Sequence, residues 1–312
     1  MSHLKINRMK EFKYRFRDGL HCPSLFLFLL SAFSIIIESA AQSPRMEYGA
    51  DIFPDNNRDR FEALIDSAEL YSRNKRWKDA ETATIEALRI TPASPSNWLL
   101  WANLGEIRTQ KDDLDGAVEA YSIGLNRNPK SMRMLEGRAS ALIQLGRESE
   151  AGQDLESALQ LDSLRVWPRI MRAMIYMSKG EYEKAKKDYT TLLVFHPGNA
   201  EAYLGLARIY AAEGKEIEAI TAFQKSILHD PDEMTYMYYI AFLADQGKLS
   251  EAAEELRVAM NKYPRRGNFF LLRAYLHKLS YRNEEAEIDR KLALEYGADK
   301  ELIETVLDKF KR

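Results

Sequence analysis

The stretch "GKEIEAITAF", from Gly214 to Phe223, decides the fold of this chain. A stretch 34 residues earlier, "GEYEKAKKDY" from Gly180 to Tyr189, keeps the glycine, the alanine and the aromatic residue at the same spacing and shares few other letters. Glycine turns a chain with positive φ at little cost, alanine lets two helices cross closely, and an aromatic ring fills the space beside the crossing. The two stretches therefore indicate a structural repeat whose packing positions are fixed and whose surface positions vary.

The same 34-residue step runs through most of the 312 residues. Alanines recur at this step, and large residues follow four places later: Ala117, Ala151, Ala185 and Ala219, then Tyr121, Leu155, Tyr189 and Phe223. In each unit apolar residues recur at intervals of three and four, first over about 14 residues and again after a short break, which predicts two amphipathic helices joined by a tight turn. We count seven units, which begin near residues 61, 98, 132, 166, 200, 233 and 267.

This pattern resembles the tetratricopeptide repeat family. Counted from the first residue of a unit, the family has a large residue at position 4, Leu at 7, a small residue at 8, Tyr at 11, Ala at 20, an aromatic at 24, Ala at 27 and Pro at 32. The fifth unit meets seven of these positions, with Tyr203, Leu206, Ala207, Tyr210, Ala219, Phe223 and Pro231. The last unit departs from the pattern, with His277 at the usual Tyr and Arg290 at the usual aromatic.

The resemblance covers about residues 61–311 and implies an all-α fold, a right-handed α-solenoid (superhelix) of stacked helix–turn–helix units. The stretch "DKELIETVLDKFK", residues 299–311, predicts a C-terminal capping helix. Its apolar residues Leu302, Val306 and Phe310 recur at helical spacing and would cover the open end of the last unit, as terminal caps do in repeat proteins.

The first 41 residues predict a secretory signal peptide. Basic residues precede the apolar run "SLFLFLLSAFSIII" (24–37), and the small residues Ser39 and Ala41 predict cleavage before Gln42. An uncleaved membrane anchor is the alternative, although the run is shorter than the roughly 20 residues that a spanning helix needs. Residues 42–60 predict a linker. We expect export to the periplasm or the cell-envelope surface, with membrane contact only through the N-terminal segment if it is not cleaved.

Composition and motifs argue against several classes of function. The formal net charge of −2 gives no basic excess, so we expect no nucleic-acid partner. The single cysteine, Cys22, excludes an intrachain disulfide, and no Cys and His residues have the spacing of a metal site. The sequence also lacks the phosphate loop, the nucleophile elbow and the zinc-protease motif. We therefore predict that the protein is not an enzyme and holds neither a metal nor a cofactor.

The family resemblance implies that the first helix of each unit lines a concave groove, into which positions 2, 5, 9 and 12 point. In the N-terminal units these positions are mixed and acidic, and from residue 167 onward they are apolar, Met-rich and aromatic. The residues predicted to bind a partner are Trp167, Ile170, Met174, Met177, Leu204, Arg208, Tyr238, Phe242, Leu271 and Tyr275. The alternative is that this strip, which has helical spacing, belongs to the core.

We predict a non-enzymatic interaction scaffold that binds a partner protein or peptide in this groove. Methionine side chains adapt to irregular surfaces and aromatic side chains anchor interfaces, so the strip suits an apolar segment. A chaperone-like carrier that shields exported or unfolded polypeptides is the alternative. Some members of the family clamp a C-terminal carboxylate with Lys and Asn at positions 5 and 9. Ile65 and Glu69 stand at these places in the first unit, so that clamp is not predicted.

Overall fold

The computed structural model describes residues 57–92 and 94–307. Within these ranges the chain forms 15 α-helices: α1 (Arg58–Arg73), α2 (Trp77–Ile90), α3 (Trp98–Gln110), α4 (Leu114–Arg127), α5 (Met132–Gln144), α6 (Glu148–Leu161), α7 (Val166–Ser178), α8 (Tyr182–Phe195), α9 (Ala200–Ala212), α10 (Glu216–His229), α11 (Glu233–Asp245), α12 (Leu249–Lys262), α13 (Gly267–Leu279), α14 (Asn283–Glu295) and α15 (Lys300–Leu307). A 3₁₀ turn, Pro95–Asn97, precedes α3. The predicted all-α repeat fold is confirmed.

The odd-numbered helices up to α13 are the first helices of the repeat units, and the even-numbered helices are the second ones. The described residues form two compact units, an N-terminal unit of residues 57–175 and a C-terminal unit of residues 176–307. The predicted signal peptide, residues 1–41, and residues 42–56 of the predicted linker lie outside the described residues. Helix α1 begins at Arg58, so the last residues of the predicted linker are helical.

Small residues form the contacts between paired helices. Ala68, at position 8 of the first unit, is 9% exposed. The other alanines at positions 8, 20 and 27 are 0% exposed: Ala80, Ala87, Ala117, Ala139, Ala151, Ala158, Ala173, Ala185, Ala207, Ala219, Ala252, Ala259, Ala274, Ala286 and Ala293. A methyl group is the largest side chain that two helices crossing this closely can share, so these positions fix how each pair packs.

The turn inside each pair has one residue in the left-handed region. Gly214 has φ +70°, as predicted, because a side chain there would meet its own backbone. The same position of the repeat is held with positive φ by Lys75, Asp112 and Tyr281 in three other units. The turn geometry is therefore imposed by the paired helices even where the residue does not favour it.

The aromatic residue at position 24 packs against glycines of the first helices. A Cβ added to Gly105 or to Gly137 would lie 2.5 or 2.6 Å from the Tyr121 ring. In the C-terminal unit a Cβ on Gly205 of α9 would lie 2.2 Å from Cζ of Tyr189 in α8. These rings therefore occupy space that only glycine leaves open, and they hold successive repeat units together.

The third and seventh repeat units contain an ion pair at positions that hold leucine and alanine in the second and fifth units. Arg138 donates to both carboxylate oxygens of Asp154, at 2.8 and 2.6 Å, and Arg273 binds Asp289 at the same distances. The Asp154 and Asp289 side chains are 5% and 4% exposed, so each carboxylate depends on its arginine for compensation. The arginine is at position 7 and the aspartate at position 23; the units with leucine at position 7 have alanine at 23, namely Leu104 with Ala120 and Leu206 with Ala222.

In the last unit His277 shares the buried aspartate. Its Nε2 lies 3.3 Å from Oδ2 of Asp289, and its Nδ1 is buried without a hydrogen-bond partner among the described residues. Burial, together with the charge of Arg282, lowers the pKa of His277 from its ordinary value. Protonation would therefore place a new donor at Nδ1 where the described side chains offer no acceptor.

We expect the protein to lose stability as the pH falls through about 6.5, the ordinary pKa of histidine. Because the folded state lowers the pKa of His277, the unfolded chain binds the proton more readily and acid favours unfolding. Urea unfolding at about pH 8 and about pH 5.5 checks this, with His277→Tyr as the comparison because tyrosine is usual at this position. The variant should lose less stability between the two pH values, and an equal loss would contradict the role of His277.

The C-terminal helix α15 packs on the last pair. Its buried residues are Ile303, Val306 and Leu307. Just before it, the ring of Tyr296 stacks on Phe270 of α13 with centroids 5.0 Å apart. Of the three predicted capping residues, Val306 is buried, Leu302 is half-buried and Phe310 lies outside the described residues.

Candidate partner-binding surfaces

The groove positions of the N-terminal unit hold paired charges. Arg133 of α5 donates to Oδ1 of Asn103 in α3 at 2.9 Å and also binds both carboxylate oxygens of Glu106. Arg165, just before α7, binds the two carboxylate oxygens of Glu136 at 3.1 and 3.2 Å. Burial raises the pKa of Glu136, and the charge of Arg165 opposes this shift. These acidic residues therefore have cationic partners within the chain.

The acidic groove residues of α1 are paired along their own helix. Glu62 lies 3.0 Å from Arg58, and Glu69 binds Arg73. Exposed pairs of this kind stabilise a helix by only about 0.3–0.5 kcal/mol, yet each one matches a charge that would otherwise attract a basic partner. The mixed, acidic groove predicted for the N-terminal unit therefore has its charges matched by the chain itself.

Three predicted binding residues lie on α7 within the N-terminal unit. Trp167 and Met174 are half-buried, and Ile170 is buried. Trp167 and Met174 therefore keep surface that a partner could contact, while Ile170 contributes mainly to packing.

The other seven predicted residues belong to the C-terminal unit. Six are buried and Leu204 is half-buried, the buried ones being Met177, Arg208, Tyr238, Phe242, Leu271 and Tyr275. Helix α11 is enclosed over ten consecutive residues, 235–244, although a helix of a two-layer repeat normally has one polar side. The apolar strip is therefore real in the structure, and most of its area is covered.

Internal contacts account for part of this burial. The ring of Phe242 lies 5.6 Å from that of Phe223 in α10, and the hydroxyl of Tyr275 donates to Oδ1 of Asp245 at 2.9 Å. The hydroxyl of Tyr189 lies 3.6 Å from Sδ of Met177. These three predicted binding residues therefore also join neighbouring helices of the C-terminal unit.

Arg208 differs from its neighbours because it is a nearly buried cation. The residue is 9% exposed, and its guanidinium lies 4.9 Å from the centre of the Tyr238 ring. Among the described residues it has no hydrogen bond and no ion pair. Leu204 lies one helical turn earlier on the same face of α9. The two side chains place a half-buried apolar group beside an uncompensated positive charge.

Two polar residues of these surfaces lie outside the positions read from the repeat pattern. Asn103 accepts the hydrogen bond of Arg133, and Asp245 accepts that of Tyr275. They occupy positions 6 and 13, each one residue beyond a groove position, on the side that meets the following unit. To find Asn103 and Asp245 from the sequence, positions 6 and 13 of one repeat unit have to be compared with positions 2 and 9 of the next repeat unit.

The described residues give no support to two other kinds of site. None of their helices has both the length and the apolar character that crossing a membrane requires. Their His, Cys, Asp and Glu residues also form no group of three or more that could hold a metal ion.

Comparison with known proteins matches the repeat directly. A tetratricopeptide repeat family model matches residues 103–164 and 170–233. Tetratricopeptide repeat protein 6 of Homo sapiens is 25% identical over 162 residues, which is 52% of this chain and 30% of that protein. The Hsp70-Hsp90 organizing protein of Triticum aestivum is 30% identical over 92 residues, which is 30% of this chain and 16% of that protein. The chain thus spans less than a third of the length of these curated relatives.

A solved structure extends the likeness over most of the chain. The crystal structure of a tetratricopeptide repeat protein from Parabacteroides merdae is 25% identical and has a TM-score of 0.70. It covers 81% of this chain, and the whole of that protein is matched. Proteins built from these repeats generally act as non-enzymatic scaffolds for protein–protein interaction. The repeat spacing, the paired helices and these matches show a tetratricopeptide repeat fold, and the family model itself matches residues 103–164 and 170–233.

Proposed function

We propose that the C-terminal unit binds a partner polypeptide along the groove sides of α9, α11 and α13. The observation that carries the proposal is the contrast between the two units. The N-terminal groove matches its own charges, whereas the C-terminal groove holds a largely covered apolar and aromatic strip beside Arg208, which has no counter-charge among the described residues. Apolar strips with aromatic and methionine side chains suit an apolar partner segment. A partner would first meet the half-buried Leu204.

The role that follows is an exported, non-enzymatic scaffold at the cell envelope. Export rests on the basic start, the apolar run and the small residues before Gln42. The binding of a protein partner is in keeping with the relative from Triticum aestivum, which is named for organizing Hsp70 and Hsp90. The partner of this chain differs in kind from that pair, since an apolar groove favours an apolar segment.

Replacing Leu204 by glutamate is expected to abolish capture of the partner from an envelope extract. The substitution puts a carboxylate into the apolar surface that a partner segment would bury, and burying an unpaired charge is strongly unfavourable. Affinity purification followed by mass spectrometry measures the capture. Because Leu204 is half-buried, the far-UV circular dichroism melt should fall by only a few degrees.

Leu228→Glu is the matched control, since it makes the same change in the same repeat unit. Leu228 lies on the second helix, α10, and is 77% exposed. This variant should capture the same partners as the native chain, and equal loss in both variants would contradict a site on the groove side. One or two stoichiometric partners would establish the scaffold, whereas a broad set of unfolded chains would establish the carrier instead.

A further inference from the structure

We propose that the apolar run of the chain's own N-terminal segment, residues 24–37, occupies the groove side of the C-terminal unit until the segment is cleaved. The inference rests on the proposed function, because it assigns the first occupant of the same groove. It makes cleavage before Gln42 the step that opens the groove to a partner. Like the rest of the chain before residue 57, the run lies outside the described residues.

The groove side of the C-terminal unit is covered. Tyr238 and Phe242 of α11 are 1% and 2% exposed, and Leu271 of α13 is 0% exposed. The groove residues Arg133 and Glu136 of α5, in the N-terminal unit, are half-buried instead. The same two-layer arrangement of helices therefore leaves groove residues accessible in one unit and encloses them in the other.

The helices packed against α11 leave its groove side to another occupant. The helices that pack on it most extensively are α10 and α12, which belong to the outer layer, and α13, which lies beside it in the groove layer. The outer layer encloses the side of a first helix that faces away from the groove, and α13 encloses one flank. The ten consecutive buried residues, 235–244, include the groove side as well. Burial on that side calls for an apolar segment in the groove.

The run has the chemistry that this surface requires. It contains no charged residue and ten large apolar side chains: Leu25, Phe26, Leu27, Phe28, Leu29, Leu30, Phe33, Ile35, Ile36 and Ile37. Burying one such side chain gains about 1.5–3 kcal/mol, so the run is strongly driven to leave water. The groove offers the side chains of Met177, Tyr238, Phe242 and Leu271 to receive it.

Charges at one end of the groove complement those beside the run. Glu201 lies at the start of α9, and Asp230 and Asp232 precede α11. Burial, together with the charges of Asp232 and Asp230, raises the pKa of Glu201, and none of the three carboxylates has an ion pair among the described residues. The run is preceded by the basic residues Lys5, Arg8, Lys10, Lys13, Arg15 and Arg17. They supply the positive charge that this acidic end lacks, so the N-terminal end of the run would face Glu201.

The connection to α1 is long enough for this placement. Residues 38–56 separate the run from the described chain, and an extended segment of that length spans about 60 Å. The three groove helices α9, α11 and α13, at about 8–10 Å between neighbouring axes, extend over only about 20 Å. The linker therefore does not tie the run to the neighbourhood of α1.

Cys22 permits a direct test, since it is the single cysteine and lies just before the run. The full chain is made in a membrane-free translation extract, where no signal peptidase acts, and Cys22 is labelled with a maleimide benzophenone. Irradiation links the benzophenone to the residues around it, and mass spectrometry identifies them. We expect the links to fall on the groove sides of α9, α11 and α13, and the labelled chain to stay soluble without detergent.

Two additions make the test specific. An equal amount of isotope-labelled Cys22→Ser chain, which carries no benzophenone, shows whether the run and the groove belong to the same molecule, because links within one chain contain no isotope-labelled peptide. Leu204→Glu puts a carboxylate into the groove and should lower the groove links about tenfold. Leu228→Glu, on the exposed face of α10, is the matched control and should leave the groove links unchanged.

Three results would overturn the proposal. They are links confined to α1, α2 or the exposed faces of the second helices, groove links that join different copies, and a chain that dissolves only in detergent. Equal effects of Leu204→Glu and Leu228→Glu on the groove links would overturn it as well.

The links and the capture of a partner by the cleaved protein separate this inference from the proposed function. If Leu204→Glu abolishes partner capture but Cys22 makes no groove links, the partner site stands and only the proposed occupant is removed. Groove links together with unchanged partner capture in Leu204→Glu would support the occupant and contradict the partner site.

Discussion

Replacing Arg138 by leucine is expected to lower the free energy of unfolding by about 3 kcal/mol, although leucine is the usual residue at this position of the repeat. The reason is Asp154, whose carboxylate is 5% exposed and takes both of its short hydrogen bonds from this arginine. Leucine would leave that carboxylate buried without its cation. Urea unfolding followed by far-UV circular dichroism measures the loss.

The double variant Arg138→Leu/Asp154→Ala is expected to regain most of this loss. It recreates the arrangement of the second unit, where Leu104 faces Ala120. Removing both members of a buried ion pair often leaves the stability of the protein unchanged, whereas removing only one member lowers it. A double variant no more stable than the single one would contradict the pair as the cause. Arg147→Leu breaks an exposed pair with Glu150 and serves as the control, with an expected change within about 0.5 kcal/mol.

The repeat spacing was enough to predict the paired helices. Alanine and an aromatic residue recur at fixed distances because the helix crossing leaves no freedom there, as at Ala219 and Phe223, both 0% exposed. The arginine–aspartate pairs were equally visible, since arginine at position 7 accompanies aspartate at 23 in the third, fourth and seventh units. They were missed because positions 7 and 23 were not compared with each other. An ion pair can be recognised in the sequence only when both positions change in the same repeat unit.

The candidate site is less accessible to sequence reasoning. The pattern places Tyr238 and Phe242 at or near groove positions, but their burial depends on how closely neighbouring first helices approach. That approach is set by side-chain sizes on several helices at once, which periodicity does not contain. Likewise, the sequence shows a basic residue at position 208 but not that the described chain offers it no carboxylate. The binding role of the ten predicted residues stays a prediction.

Replacing Gly205 by alanine is expected to destabilise the C-terminal unit by about 2 kcal/mol, even though alanine favours helix over glycine by about 1 kcal/mol. The new methyl group would lie 2.2 Å from Cζ of Tyr189, far inside the normal contact distance. The ring cannot move aside easily because it is 2% exposed and enclosed by its neighbours. Overpacking therefore outweighs helix propensity at this site.

Gly152→Ala gives the opposite expectation from the same substitution. Gly152 lies within α6, and a Cβ added there would meet nothing within 4 Å, so only propensity acts and stability should rise by about 0.5–1 kcal/mol. Urea midpoints of the two variants and the native chain measure both effects. If Gly205→Ala were also stabilising, the Tyr189 ring would have to be free to move, and it could not be the wedge that fixes α9 against α8. Stability changes of opposite sign at these two helical glycines would show that the aromatic residue at position 24, and not the glycine itself, sets the spacing between repeat units.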